Sequence, residues 1–105
     1  METIIARIKI QNGKEDEALE QLKKMAASVE SEEAGALAYI CHRSQDDPSE
    51  IVFFELYADS DAFQAHGQTS HMGEFRAAFA ELFDVSQVKI ERLDRVAGFV
   101  RAKAD

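Results

Sequence analysis

Two histidines stand on either side of a Gly-Gln-Thr-Ser break in the second half of the chain. An imidazole exchanges a proton near neutral pH, so His66 or His71 could act as a general base. Tyr39 could donate a hydrogen bond to the anion that such a base leaves behind. Each residue also has a structural alternative: a packed histidine for His66, a helix-start residue for His71, and a core ring with a solvated hydroxyl for Tyr39.

The same two histidines are not predicted to bind a metal ion. They lie five positions apart across a helix break, which is not the one-turn spacing of paired helical ligands. A third ligand is not near them in the sequence. Cys41 has no second thiol with which to pair, and we interpret it as a small hydrophobic residue. With no Gly-rich nucleotide-binding pattern either, we predict no metal and no cofactor.

Composition narrows the class of protein. The chain has 105 residues, of which 46% are hydrophobic, so we predict one globular domain over residues 1–105. Its formal net charge of −8 argues against nucleic acid and against an anionic membrane as partners. The N-terminal sequence METIIARIKI lacks the long apolar core of a signal peptide, and no apolar run is long enough to span a membrane. A soluble cytoplasmic protein is therefore expected.

Hydrophobic periodicity predicts the elements that position these side chains. A helix with apolar residues at helical spacing is predicted after Lys14. Two shorter helical segments are predicted later in the chain. The first is capped by Asp59 or Ser60 and ended by Gly67, and the second is capped by Ser70. The apolar tail Gly98–Val100 has no predicted partner. The predicted strands cover Thr3–Ile10, Ala36–Ser44, Ile51–Tyr57 and Ser86–Val96.

This order is β-α-β-β-α-β, which is the ferredoxin-like plan of an α+β protein. The helices of that plan cover one face of an antiparallel sheet, and the first and third strands are central. Ile4, Ala6 and Ile8 form the clean apolar face of the first strand. We expect Val52, Phe54 and Leu56 of the third strand to join them under the helices.

The third strand is apolar on both sides, which a sheet with one solvated face should not be. In this interpretation Ile51, Phe53 and Tyr57 point away from the helices. We expect a second copy of the sheet to cover that far face, which makes the protein a homodimer. Glu55 falls on the same face and is interpreted as an ion-pair residue, because burial of a lone carboxylate is costly.

The segment Gly35–Phe75 resembles the antibiotic biosynthesis monooxygenase family, in particular its small, quinol-monooxygenase-like bacterial members. The resemblance rests on motifs typical of that family, E-x-W/Y followed by A-H-x-x-T-x-H. They occur here as Glu-Leu-Tyr at 55–57, Ala-His at 65–66 and Thr-Ser-His-Met at 69–72, with Tyr39 and Asp59 nearby. The opening IARIKIQNGKEDEAL also suits the family's first strand and helix.

The resemblance implies a dimeric α/β barrel with an apolar pocket in each subunit. Several members of the family oxidise dihydroxy-aromatic compounds with molecular oxygen and without a cofactor. Other members degrade haem or isomerise signalling molecules. The haem-degrading relatives share an Asn-Trp-His set, and because this chain contains no Trp, haem degradation is not expected.

We therefore predict a cofactor-independent monooxygenase acting on a small hydroxylated aromatic such as a quinol. A histidine would remove a phenolic proton, and the resulting electron-rich anion would reduce oxygen directly. The catalytic candidates are His66, His71 and Tyr39, and the residues expected to hold the ring are Phe54, Phe63, Phe75 and Phe79. Two alternatives stay open: an isomerase of a small oxygenated metabolite that uses the same base, and a non-catalytic ligand-binding or stress-associated dimer.

Overall fold

A computed structural model describes residues 1–101 of the protein, so the last four residues of the predicted domain lie outside the described residues. The long helical region before the last strand is divided into two helices, as predicted. In chain order the elements are β1 (Glu2–Lys9), α1 (Glu15–Glu32), β2 (Ala36–Arg43), β3 (Glu50–Tyr57), α2 (Ser60–His66), α3 (Ser70–Leu82) and β4 (Lys89–Leu93).

The four strands form one antiparallel sheet in the order β2-β3-β1-β4. This confirms the ferredoxin-like α+β fold with the first and third strands in the centre. The helices lie on one face of the sheet, and the main hydrophobic cluster joins residues of β1, α1, β3 and α3. Within residues 1–101, no helix is both long and apolar enough to cross a membrane.

Helix α1 forms because its apolar residues recur every three or four positions. Ala18, Leu22, Met25 and Val29 are all at most 3% exposed and face the sheet. Acidic residues occupy the first turn, where they favour the positive end of the helix dipole. The chain enters this helix through a turn in which Gly13 has a φ of +84°, a conformation that glycine adopts without steric strain.

Side-chain caps set the starts of α2 and α3. Asp59 accepts a hydrogen bond from the backbone N–H of Ala62 at 2.8 Å, which confirms one of the two predicted caps. Helix α2 ends at His66 with Gly67 as its C-cap, also as predicted. The cap of α3 is one residue earlier than predicted, because Thr69 accepts from the N–H of Met72 at 3.2 Å.

The predicted faces of β3 are wrong. In the pairing of β1 with β3, Ala6 lies opposite Phe53 and Ile8 opposite Ile51, so the odd-numbered residues of β3 face the helices. A strand alternates with a period of two, and a change of one residue in register exchanges its faces. Because β3 is apolar on both sides, its composition did not show which side faces inward.

Two residue assignments change with the face. Phe54 lies on the far side of the sheet, opposite Ile5 of β1, and was wrongly expected to line the pocket. Glu55 faces the helices opposite Ile4 and is only 6% exposed, so its interpretation as an ion pair on the outer face is also wrong.

Residues 94–100 run beside this far face. Strand β4 is shorter than predicted, and after it residues 94–100, which include Gly98–Val100, border a shallow recess of about 330 Å³ together with Thr3, Phe54 and Leu93. Val96 and Phe99 are 96% and 75% exposed. The far face and the tail thus present apolar side chains to solvent in a single chain.

Candidate functional site

A mostly apolar cavity of about 450 Å³ lies between the helices and the sheet. This volume suits a small aromatic molecule, since ligand cavities are commonly about 300–1,000 Å³. A larger groove of about 590 Å³ on the α1 and α3 surface is bordered mostly by charged and polar side chains and is a poorer candidate. The residues around the apolar cavity are Ile4, Ala6, Ile8, Tyr39, Phe53, Glu55, Phe63, Gln64, His66, Gly67, Met72, Phe75, Arg76, Phe79, Val88 and Ile90.

The cavity brings together most of the side chains singled out from the sequence. Tyr39, His66 and three of the four predicted phenylalanines, Phe63, Phe75 and Phe79, line it. Phe53 takes the place predicted for Phe54, as the register of β3 requires.

His66 is held from behind by a buried carboxylate. Its Nδ1 lies 3.0 Å and 2.9 Å from the two carboxylate oxygens of Glu33, the C-cap residue that follows α1. The side chains of both residues are less than 10% exposed. The opposite edge of the ring, which carries Nε2, is therefore the edge available to the cavity that His66 lines.

His71 lies behind this pair and does not line the cavity. Its Nε2 is 2.5 Å from Oε2 of the same Glu33 carboxylate. Its Nδ1 is 3.6 Å from Oε2 of Glu32. Among residues 1–101, this Nδ1 is the one fully buried side-chain nitrogen or oxygen without a hydrogen-bond partner.

These contacts determine which nitrogens carry hydrogen. An ionised carboxylate only accepts hydrogen bonds, so the nitrogens that face Glu33 must be the donors. Neutral His66 then carries its hydrogen on Nδ1 and has a free lone pair on Nε2, directed away from Glu33. That arrangement prepares His66 to take a proton from a molecule in the cavity, with Glu33 stabilising the cation that forms.

Tyr39 meets the requirement for a hydrogen-bond donor. Its ring lies beside that of His66, with centroids 5.6 Å apart. Burial, followed by the nearby charge of Glu55, raises the pKa of the Tyr39 hydroxyl well above its usual value. The hydroxyl therefore stays protonated at neutral pH.

A second carboxyl group reaches the cavity from the centre of the sheet. Glu55 accepts a hydrogen bond from the hydroxyl of Tyr57 at 2.6 Å. Burial raises the pKa of Glu55, and the hydrogen bond from Tyr57 partly offsets this rise. The ring of Tyr57 also contacts the ring of His66, with centroids 5.4 Å apart. Tyr57 therefore joins Glu55 and His66 in one polar cluster.

Sequence reasoning missed the role of Glu33 and misplaced Glu55. Glu33 is one of several acidic residues near the end of α1, and nothing in its neighbourhood marks it as buried. Gly35 is the nearby residue that could have indicated a close contact at the end of α1. A Cβ at that position would lie 2.7 Å from the Cβ of Ala62, so glycine is what lets α2 pack closely enough for His66 to reach Glu33.

The comparisons with known proteins agree with this fold. The family model described as antibiotic biosynthesis monooxygenase matches residues 1–78. The chain belongs to this family. A candidate antibiotic biosynthesis monooxygenase from Caulobacter crescentus is 31% identical, with a TM-score of 0.84 over 91% of this chain and 90% of that one.

Two further solved structures are similar to this chain. PA3566 from Pseudomonas aeruginosa is 29% identical, with a TM-score of 0.82 over 91% of this chain and 94% of that one. A candidate family member from Bacteroides thetaiotaomicron is 19% identical, with a TM-score of 0.86 over 97% and 95% of the two chains. The second likeness shows the fold alone. No curated protein matches the sequence significantly.

Proposed function

We propose that the protein is a homodimeric monooxygenase that oxidises a small hydroxylated aromatic, such as a quinol, with molecular oxygen and without a cofactor. The strongest support is the buried pair of Glu33 and His66 at the wall of a mostly apolar cavity. A base that is oriented by a buried carboxylate and faces an aromatic-lined space suits the deprotonation of a phenol. Membership of the antibiotic biosynthesis monooxygenase family supports the same reaction class.

In the proposed reaction, Nε2 of His66 removes a phenolic proton, and Glu33 stabilises the imidazolium. The hydroxyl of Tyr39 donates to the phenolate oxygen, and Glu55, which also lines the cavity, contacts a second hydroxyl of the ring. The phenolate is rich in electrons and reduces oxygen directly. One oxygen atom becomes bound to a ring carbon, and the other leaves as water with two substrate hydrogens, so a quinol C₆H₆O₂ gives a hydroxyquinone C₆H₄O₃. The substrate supplies all four electrons.

The apolar wall has its own part in this chemistry. Phe63, Phe75 and Phe79 surround the ring position and limit water in the cavity. Exclusion of water strengthens the interaction between the imidazolium and Glu33 and protects the reactive intermediate from protonation by solvent.

A dimer is part of the proposal because the far face of the sheet needs a cover. Val52, Phe54 and Leu56 of β3 lie on that face beside Ile5 of β1. Ile40 of the edge strand β2, which pairs with Phe54, is 49% exposed. Leu56 is already only 6% exposed, whereas Ile5, Val52, Phe54 and Ile40 remain partly or largely exposed, and a second sheet packed there would bury them.

Oxygen uptake with a panel of quinols tests the reaction. We expect one oxygen molecule consumed per quinol, and one atom of labelled oxygen in the product. His66→Gln should reduce kcat by about 10²- to 10⁴-fold, the range typical of a lost general base. Glu20→Gln is the control, because Glu20 is exposed on α1, away from both the apolar cavity and the far face, and should leave turnover unchanged.

Other outcomes favour the alternatives. Turnover without oxygen consumption would indicate an isomerase that uses the same base. Ligand binding that is unchanged in His66→Gln, with no product formed from any quinol, would indicate a non-catalytic binding protein.

A further inference from the structure

Three elements of the fold bring potential metal ligands to one point. Glu33 follows the end of α1, His66 ends α2, and His71 lies in the first turn of α3. One ligand atom from each lies within 4.8 Å of the others. All three side chains are less than 10% exposed, so their positions are set by the packing of the helices.

The donor set suits a divalent transition metal. Two imidazole nitrogens and one carboxylate oxygen form a common ligand set for Zn²⁺, and the same set with open positions binds Fe²⁺. Metal–ligand bonds of about 2.0–2.2 Å place tetrahedral donor atoms about 3.4 Å apart. Oε2 of Glu33 is now 2.9 Å from Nδ1 of His66 and 2.5 Å from Nε2 of His71. Shifts of about 1 Å or less in these side chains would therefore admit the ion.

The surrounding charges favour a cation on balance. The site lies at the negative end of α1, an 18-residue helix with no basic residue in its last turn. Glu32 adds a second carboxylate, 3.6 Å from Nδ1 of His71. The positive end of the α3 dipole disfavours a cation, but the first turn of α3 is already capped by the side chain of Thr69.

The unpartnered Nδ1 of His71 is a separate indication. Metal-bound histidines usually donate their other ring N–H to a carboxylate or carbonyl. If Nε2 of His71 binds a metal, its Nδ1 must carry the hydrogen, and Glu32 is the carboxylate placed to receive it. Metal binding would thus satisfy the one buried atom that lacks a partner among the described residues.

We propose that Glu33, His66 and His71 bind one divalent transition metal ion such as Zn²⁺, and that the ion switches off His66 as a base. The second statement rests on the proposed function. When a metal occupies Nδ1 of His66, the ring hydrogen moves to Nε2, the nitrogen available to the cavity. The neutral ring neither gains nor loses a proton, but it presents a donor where deprotonation of a phenol needs an acceptor.

Calorimetric titration of the EDTA-treated, dialysed full chain with ZnCl₂ tests the site. Replacement of Zn²⁺ by Co²⁺ adds a visible absorption spectrum as a readout that does not depend on activity. We expect one ion per chain. His71→Gln and Glu33→Gln should each weaken binding by at least about 100-fold, more than the loss of a residue that only orients a ligand. Glu20→Gln, at an exposed position outside the site, should bind normally.

Binding of no ion by the wild type, or unchanged binding by both ligand variants, would overturn the site. Circular dichroism is used to check that each variant is folded, and His71→Gln keeps an N–H that can donate to Glu33. Stoichiometric binding that leaves quinol turnover unchanged would overturn the switch. Stoichiometric binding by a protein that oxidises no quinol supports the metal site and counts against the proposed function.

Discussion

The contact between Gly35 and α2 makes a sharp prediction about stability. A Cβ at position 35 would lie 2.7 Å from the Cβ of Ala62. Carbon atoms in contact rest about 3.5–4.0 Å apart, so Gly35→Ala must displace α2 by about 1 Å. Overpacking of this kind destabilises a protein by about 1–3 kcal/mol. For a chain of this size, the melting temperature should fall by about 4 °C or more.

The same displacement should reach the site. His66 ends α2, and its contacts to Glu33 are 2.9 Å and 3.0 Å long. A lengthening of about 1 Å would take them beyond hydrogen-bond range, which ends near 3.5 Å. Gly35→Ala should therefore also reduce turnover, although residue 35 does not line the cavity.

Thermal and urea unfolding followed by circular dichroism measure the effect. Gly73→Ala is the matched control, since its Cβ would meet no atom within 4 Å and a glycine within α3 is unfavourable. That variant should gain about 0.5–1 kcal/mol. In the double variant of Gly35→Ala with Ala62→Gly, the clash disappears, so it should be more stable than the sum of the single changes predicts. Additive effects, or a Gly35→Ala protein as stable as the wild type, would refute the proposed packing.

Three further predictions concern single side chains. Burial, and secondly the charge of Glu55, raises the pKa of Cys41 to about 12. About one thiol in 10⁴ is then ionised at pH 8, so Ellman's reagent should react with Cys41 only after unfolding. Prompt reaction with the folded protein would contradict this. Because burial raises the folded-state pKa of Glu55, its favourable contribution is complete below the unfolded pKa of about 4.3 and is lost as pH rises through the folded value. Glu55→Gln should therefore raise the melting temperature relative to the wild type at pH 8 but not at pH 4, and an equal effect at both would be inconsistent with a raised pKa of Glu55 in the folded protein. Phe54→Asp places a charge on the far face of the sheet, so light scattering at micromolar concentration should show a monomer; a persistent dimer would mean that the subunits associate elsewhere.

The order of elements could be predicted because each depends on local periodicity. Ala18, Leu22, Met25 and Val29 recur at helical spacing and can be buried together only in a helix. Asp59 marks the start of α2 because its side chain caps the first turn. Gly67 marks the end of α2 because glycine, which has no side chain, is unfavourable within a helix. His66 and Phe63 lie three positions apart on that helix, so both were expected on one face, and both line the cavity.

The faces of β3 could not be predicted in this way. Val52 and Phe53 are both apolar, so alternation carried no information about which side meets the helices. Pairing with β1 decided it, because the inward face of β1 aligns Ala6 with Phe53. The cost of burying a charge suggested that Glu55 faces outward, but the hydroxyl of Tyr57, brought alongside it on the same face, provides a partner for the carboxyl group.

By itself, the sequence determined the helices, the strands, the class of fold and the identity of two histidines that could exchange protons. Tertiary structure alone decided that Glu33 lies between them, although it is 33 positions from His66 and 38 from His71 along the chain. The physical reason is that periodicity and capping act over a few residues, whereas a shared carboxylate depends on how three helix ends meet. Gly35 permits that meeting, because a Cβ at this position would collide with Ala62 of α2.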